Sequence, residues 1–254
     1  MAQMLARSSL HSSQLTRTLA HMGALTSVES GLDLAQTLGQ WTSVTGAISL
    51  SSVIGQGDDV AQEKGHGTLT AGIDEEFVKV RSALVQSMTC ADGRGVENAG
   101  VPLPEPERGS TLEDGALYAP YRRYHQARQR DMEARIGPLR LKVRESLHAA
   151  SPVLRSLAAL DGCYEQILDE TQVRLLGTVP MLLEKRFRQL LRAHQHKLKE
   201  LEQEDRIELW IRPDGWLTQF RNELQTVLLA ELDLRLAPTV GLLEAFHSES
   251  RNEK

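Results

Sequence analysis

The residues best suited to chemistry in this chain are cations. Between Lys185 and Lys199 stand six Lys or Arg and no acid. Lys185, Arg188, Arg192 and Lys199 recur at intervals of three, four and seven, which on a helix sets them along one face, with Arg186 and Lys197 beside them. Arg122, Arg123, Arg128 and Arg130 form a second cluster upstream. Aligned cations neutralise phosphates, giving nucleic-acid binding that is independent of sequence and sensitive to salt. Only Phe187, Tyr121 and Tyr124 lie near the clusters, too few aromatics for readout by base stacking. The same cations can instead pair with acids. Glu200, Glu202, Glu204, Asp205 and Glu208 follow directly, so a solvated face or a contact with the acidic block of a neighbouring copy stays open beside DNA binding.

Other groups offer less. His194 and His196 are two positions apart and point to different faces of a helix, whereas chelation needs i, i+3 or i, i+4 spacing, so no metal site is expected. The paired acids Asp58-Asp59 and Glu113-Asp114 lie in glycine-rich stretches that lack the rigid surroundings catalysis needs. A metal-dependent nuclease built on such carboxylates is the remote alternative. The chain holds no P-loop, G-x-G-x-x-G, H-E-x-x-H or G-x-S-x-G motif, so no catalytic residue and no cofactor is expected. Trp210 and Trp216 flank a turn at Pro213 and, with Trp41, are candidates for a partner interface. For the two beside the turn, a role as packing anchors competes equally.

The elements that must position these groups are helices. Apolar residues recur every three or four positions from Leu117 to Leu201. Met132, Ile136, Leu139, Val143 and Leu147 form one stripe; Leu157, Leu160, Tyr164, Ile167, Thr171 and Leu175 form the next. Val179, Leu183, Phe187, Leu190, His194, Leu198 and Leu201 complete it. Aromatics make up 4% of the chain, and a core of Leu, Val and Ala favours helix packing over a sheet sandwich. The expectation is an all-α fold: a long-helix bundle or coiled-coil-like C-terminal region with a smaller N-terminal helical region.

Residues 1–54 read as two helices, about Ser12 to Met22 and about Gly31 to Ile54. Residues 55–115 read as a Gly/Pro-rich linker: five glycines in 55–72, a short helix at about 73–88, then Pro102, Pro104 and Pro106 at alternate positions in an extended connection. Residues 116–246 are the long-helix bundle. Its expected pieces are Tyr118 to Ala150 with a bend at Gly137-Pro138, a helix capped by Ser151 that runs to about Leu176, and Met181 to Ile211. A turn at Arg212-Pro213-Asp214-Gly215 and a last helix from about Gly215 to Phe246, interrupted or kinked near Pro238, complete it. Residues 247–254 are expected to be a disordered tail.

Two widely separated cysteines, Cys90 and Cys163, indicate a reducing compartment rather than a disulfide framework. The first 28 residues carry no acid and mimic a transit peptide, but their helical spacing (Leu10, Leu15, Leu19, Met22) favours an amphipathic helix. No stretch approaches the roughly 18 apolar residues of a spanning helix. A cytoplasmic protein without direct membrane insertion is expected.

The run Leu38-Gly39-Gln40-Trp41, followed by Ala47-Ile48-Ser49-Leu50-Ser51, resembles the N-terminal signature of a proteobacterial domain-of-unknown-function family. Pro180-Met181-Leu182-Leu183-Glu184-Lys185-Arg186-Phe187 is compatible with that family's helical C-terminal half, while Gly46 stands where members usually carry an acid. Members look like the ZorF component of type III Zorya antiphage defence systems, encoded beside the ZorA–ZorB proton-driven membrane motor and the cytosolic component ZorG. The resemblance implies a cytoplasmic accessory or effector that assembles with itself as a homo-oligomer or with a sister cytosolic component. It further implies engagement of DNA or of the cytoplasmic part of the motor. It carries over no catalytic residue, because the family has no motif of known chemistry.

Overall fold

The computed structural model describes residues 14–23, 66–89, 101–106 and 117–252. The described residues form seven α-helices and no strand: α1 Gln14–His21, α2 His66–Thr89, α3 Ala119–Ala150, α4 Pro152–Leu176, α5 Val179–Glu200, α6 Ile207–Trp210 and α7 Trp216–Asn252. The all-α expectation holds. The helix expected at 31–54 and the resemblance segment at 38–51 lie outside the described residues.

Local signals set several helix ends. In α1, Leu15 and Leu19 are buried one turn apart, and Gly23 ends the helix at φ +65, where its N–H reaches the carbonyl of Ala20 at 3.0 Å. Ser151 caps α4 as expected, its Oγ accepting the Leu154 N–H at 3.2 Å, and Pro152 opens the first turn.

Several boundaries differ from expectation, each for an identifiable reason. Helix α2 begins at His66 rather than 73, running through Gly67 and Gly72. An interior glycine costs only about 1 kcal/mol, which the rest of a 24-residue helix outweighs. Helix α5 ends at Glu200 rather than Ile211. There the Gln203 N–H bonds the Leu198 carbonyl at 3.0 Å and the Glu202 N–H bonds Lys199 at 3.3 Å, with Glu202 left-handed at φ 49. This is the Schellman stop, reached without the usual glycine. The acid run that begins at Glu200 disfavours more helix because carboxylates oppose the negative C-terminal end of the helix dipole. Helix α7 continues to Asn252, so residues 247–252 are helical where a tail was expected. Phe246 is buried there, and the His247 ring nitrogen lies 2.9 Å from Asp74.

Pro138 and Pro238 lie inside uninterrupted helices. Each removes one backbone hydrogen bond, at a cost of about 3 kcal/mol. Buried residues on both sides (Ile136 and Leu139 in α3, Leu236 and Thr239 in α7) hold the helix through the defect.

The chain divides into two units, each drawn from three separated stretches. One comprises Met1–Gly31, Val85–Asp131 and Gly177–Leu232, and the other Leu32–Leu84, Met132–Leu176 and Asp233–Lys254. Long helices pass from one set to the other, so packing rather than chain order decides membership.

The first unit has an aromatic centre. Phe187 of α5 meets Phe220 edge-on at 4.9 Å and Trp216 at 5.1 Å, and Tyr121 meets Phe220 at 5.4 Å. Edge-to-face pairs add about 0.5–1.5 kcal/mol each beyond burial. The second unit has a mainly aliphatic centre of Ile73, Val143, Leu147, Leu154, Ala158, Leu242 and Leu243, with Phe246 as its one ring. Beside it Arg140 makes a two-pronged contact with Asp161 at 2.6 and 2.8 Å, and Arg144 reaches Glu165 at 2.5 Å. The α3 stripe from Met132 to Leu147 is fully buried, as its spacing implies. The α4 stripe is not: Tyr164 and Leu175 are exposed, while Leu154, Ala158 and Leu176 face inward.

Candidate nucleic-acid interface

Helix α5 is amphipathic in the direction the site requires. Val179, Leu183, Phe187, Leu190 and Leu198 turn inward. That leaves Lys185, Arg188, Arg192 and Lys199 on the outer surface, with Lys197 beside them, all exposed. From Lys185 to Lys199 the stripe is about 21 Å long at 1.5 Å per residue. Arg188 donates to Glu184 at 2.5 Å, one turn back on the same helix; that pair is solvent-facing and readily exchanged. Arg192, Lys197 and Lys199 make no ion pair with another described residue.

Two of the predicted cations serve the fold instead. Arg186 is half-buried and grips Glu223 of α7 through Nε at 2.7 Å and Nη2 at 2.6 Å. Donating hydrogen bonds to Glu223 raises the guanidinium above its ordinary range, against the opposing effect of burial. Arg128 is buried against Tyr124 and donates to the carbonyl of Val101. The spacing placed both beside exposed cations; the angle at which each helix meets its neighbours turned them inward. Arg122, Arg123 and Arg130 are exposed on α3.

Tyrosines pin the start of α3 to α5. Tyr118 Oη donates to the carbonyl of Pro180 at 2.5 Å and its ring lies 5.5 Å from Phe187. Burial raises the Tyr118 hydroxyl well above its usual pKa, with Glu184 adding to the rise and Arg122 opposing it. Burial likewise pushes Tyr121 up to about 12, opposed by Arg221 and reinforced by Glu105. Both hydroxyls therefore stay neutral donors.

The acidic block is a shaped loop. Asp205 accepts from Trp210 Nε1 at 2.7 Å and lies 3.3 Å from His194 Nε2, while His196 approaches Glu200 at 3.4 Å. The two histidines thus serve different partners. Among the described residues no group of three or more His, Cys, Asp or Glu is placed to hold a metal ion. Glu200, Glu202, Glu204 and Glu208 are exposed. Trp210 and Trp216 are interior, 1% and 6% exposed, with their rings tilted to each other at 5.6 Å. They anchor the turn from within and form no surface for a partner. The turn itself forms as expected, the Gly215 N–H bonding Arg212 at 2.8 Å. Trp41, Asp58, Asp59, Glu113 and Asp114 lie outside the described residues.

A buried polar group has no counterpart in the sequence pattern. His125 and Glu231 are fully enclosed, with His125 Nε2 3.3 Å from Glu231 Oε2 in an approach that does not align a hydrogen bond. Gln129 Nε2 donates to both oxygens of Glu231, at 2.9 and 3.2 Å. His125 and Glu231 stand more than a hundred positions apart, so no local signal could have paired them.

The molecule is thus an all-helical protein in which one helix displays an outward stripe of cations. The chain belongs to the family described as "Protein of unknown function (DUF3348)", whose model matches residues 1–248. Neither the curated proteins nor the solved structures contain a match. Among the described residues no helix is long and apolar enough to cross a membrane.

Proposed function

We propose that the chain is a non-enzymatic helical component whose α5 stripe holds the phosphate backbone of DNA without reading its sequence. The supporting observation is the exposure of Lys185, Arg188, Arg192 and Lys199 on one face, opposite an aromatic-anchored inner face. A fixed row of cations displaces counterions from a polyanion at little ordering cost, because its helix is already packed. Four phosphate contacts correspond to a log–log salt slope of about −3.6, so affinity should fall about 150-fold between roughly 50 and 200 mM salt. A mobility-shift series across that range tests the reading. Reversing Arg188, Arg192 and Lys199 to Glu should abolish the shift. Retention of the probe by that variant at low salt would remove DNA from the proposal. A salt-weakened oligomer that never shifts the probe would point instead to a scaffold whose cations meet the acidic block of a neighbouring copy.

The resemblance to ZorF extends this reading. The chain would act in the cytoplasm as an accessory or effector of antiphage defence, assembled with itself or a sister component and coupled to a membrane motor. What supports it is the segment Leu38–Trp41 with Ala47–Ser51, together with the Pro180–Phe187 opening of α5. Genes for a motor pair beside this one, and loss of phage protection on deletion, are the expected outcomes. Undiminished protection after deletion would defeat the extension while leaving DNA binding to its own test.

A further inference from the structure

DNA can meet a row of cations as a duplex or as a single strand, and the two differ in what they need besides charge. A single strand has unpaired bases, and surfaces that hold it stack those bases on a series of open rings. The rings nearest the cations are Phe187, Tyr121 and Tyr124, which are 2%, 4% and 2% exposed. Phe187 and Tyr121 pack on each other at 5.8 Å, and the Arg128 guanidinium covers Tyr124 at 5.0 Å. The rest of the chain adds little, since it has only four Phe, four Tyr and three Trp in all. Phe77 is half-buried, Tyr164 of the second unit is exposed, Trp41 lies outside the described residues, and all the others are buried. One fully open ring is left among the described residues, and one ring cannot stack successive bases.

The shape of the stripe favours the duplex for a second reason. Lys185, Arg188, Arg192 and Lys199 run about 21 Å along α5. Over that length a duplex presents about twelve phosphates, twice what either of its strands presents. Acids bound the row, with Glu184 paired to Arg188 near one end and Glu200, Glu202 and Glu204 exposed beyond the other. The helix beneath is fixed by Phe187 against Phe220 and Trp216 and by Arg186 on Glu223, so the row cannot bend to follow a pliant chain. A duplex is straight over about 150 base pairs and meets a rigid row without being ordered. A single strand gives up conformational freedom there and gains no stacking in return.

We infer that the α5 stripe takes double-stranded DNA in preference to single strands. This rests on the reading of the stripe as a phosphate-binding surface and narrows it to one form of the ligand. Counterion release sets the size of the preference. Four contacts give a log–log salt slope of about −3.6 on a duplex and about −2.8 on a single strand. Two lines of those slopes that meet near 1 M salt stand about tenfold apart at roughly 50 mM, so the preference fades as salt rises.

The test uses the full chain, a fluorescent 20-base-pair duplex of mixed sequence and either of its strands alone as an unstructured 20-mer. Anisotropy titrations from roughly 50 to 200 mM salt give both affinities and both slopes. The duplex should bind about tenfold more tightly at the lowest salt, with the steeper slope, and unlabelled single strand should compete correspondingly poorly. Reversing Arg188, Arg192 and Lys199 to Glu should remove both activities together. Single strand bound as tightly as the duplex, or more tightly, overturns the inference while leaving DNA binding in place. Single-strand binding that survives the charge reversal likewise overturns it, because such binding uses another surface. A chain that binds neither form overturns this inference and the reading beneath it.

Discussion

Replacing Arg186 by methionine separates a cation that builds the fold from those that face outward. Its two bonds to Glu223, at 2.6 and 2.7 Å, are parallel and charge-assisted, roughly twice as strong as neutral ones. The paired side chains are 19% and 16% exposed, between the buried and the surface limits. Breaking a fully buried pair from one side costs about 3–5 kcal/mol, and breaking an exposed one about 1 kcal/mol or less. Glu223 would keep the Gln219 Nε2 donor at 3.0 Å and some contact with water. Arg186→Met should therefore cost about 2 kcal/mol, nearer the surface limit than the buried one. Changing both residues to methionine should cost less than the two single changes together, by about 1 kcal/mol, because neither charge is then stranded. Urea titration followed by tryptophan fluorescence reads both quantities, since Trp210 and Trp216 are interior. The contrast is Arg192→Met on the exposed side of α5, which should change stability by under about 0.5 kcal/mol and flatten the salt slope of DNA binding by about 0.9. An Arg186→Met chain as stable as the wild type, or strictly additive changes at 186 and 223, would refute the assignment of Arg186 to the fold.

Two further outcomes follow from the same unit. A β-carbon at Gly215 would lie 2.6 Å from the Leu209 carbonyl oxygen and 2.6 Å from the Trp210 carbonyl carbon, both backbone, so the constraint is closeness of approach. Gly215→Ala should cost about 2 kcal/mol or more, and a thermal midpoint equal to the wild type would contradict it. Stability should also decline in alkali. Tyr121 titrates at about 12 in the folded chain against 10 when unfolded, so its contribution is complete below pH 10 and is lost as pH rises toward 12. Tyr118, raised by the same burial, should steepen the decline. Tyr121→Phe should flatten the fall above pH 10, read by circular dichroism against tyrosinate absorbance, and an unaltered profile would count against burial as the cause.

Much of the fold is legible one segment at a time. Ser151-Pro152 starts a helix, Arg212–Gly215 makes a turn and the α3 stripe is buried, because each depends on residues within a few positions. The errors are equally local in form. The stop at Glu202 uses a left-handed glutamate rather than glycine, so composition gave no warning. Gly67, read as part of a loop, lies inside a helix that its neighbours sustain.

By itself the sequence determined that the chain is helical and that Lys185, Arg188, Arg192 and Lys199 share a face, since a period of 3.6 residues fixes the angles between side chains on one helix. It did not determine which angle meets a neighbouring helix. The tertiary structure decided that Arg186 grips Glu223, that Arg128 holds the Val101 carbonyl and that both tryptophans of the turn lie inside. Those partners are brought together by packing across tens of positions of sequence, and no short-range pattern encodes such a meeting.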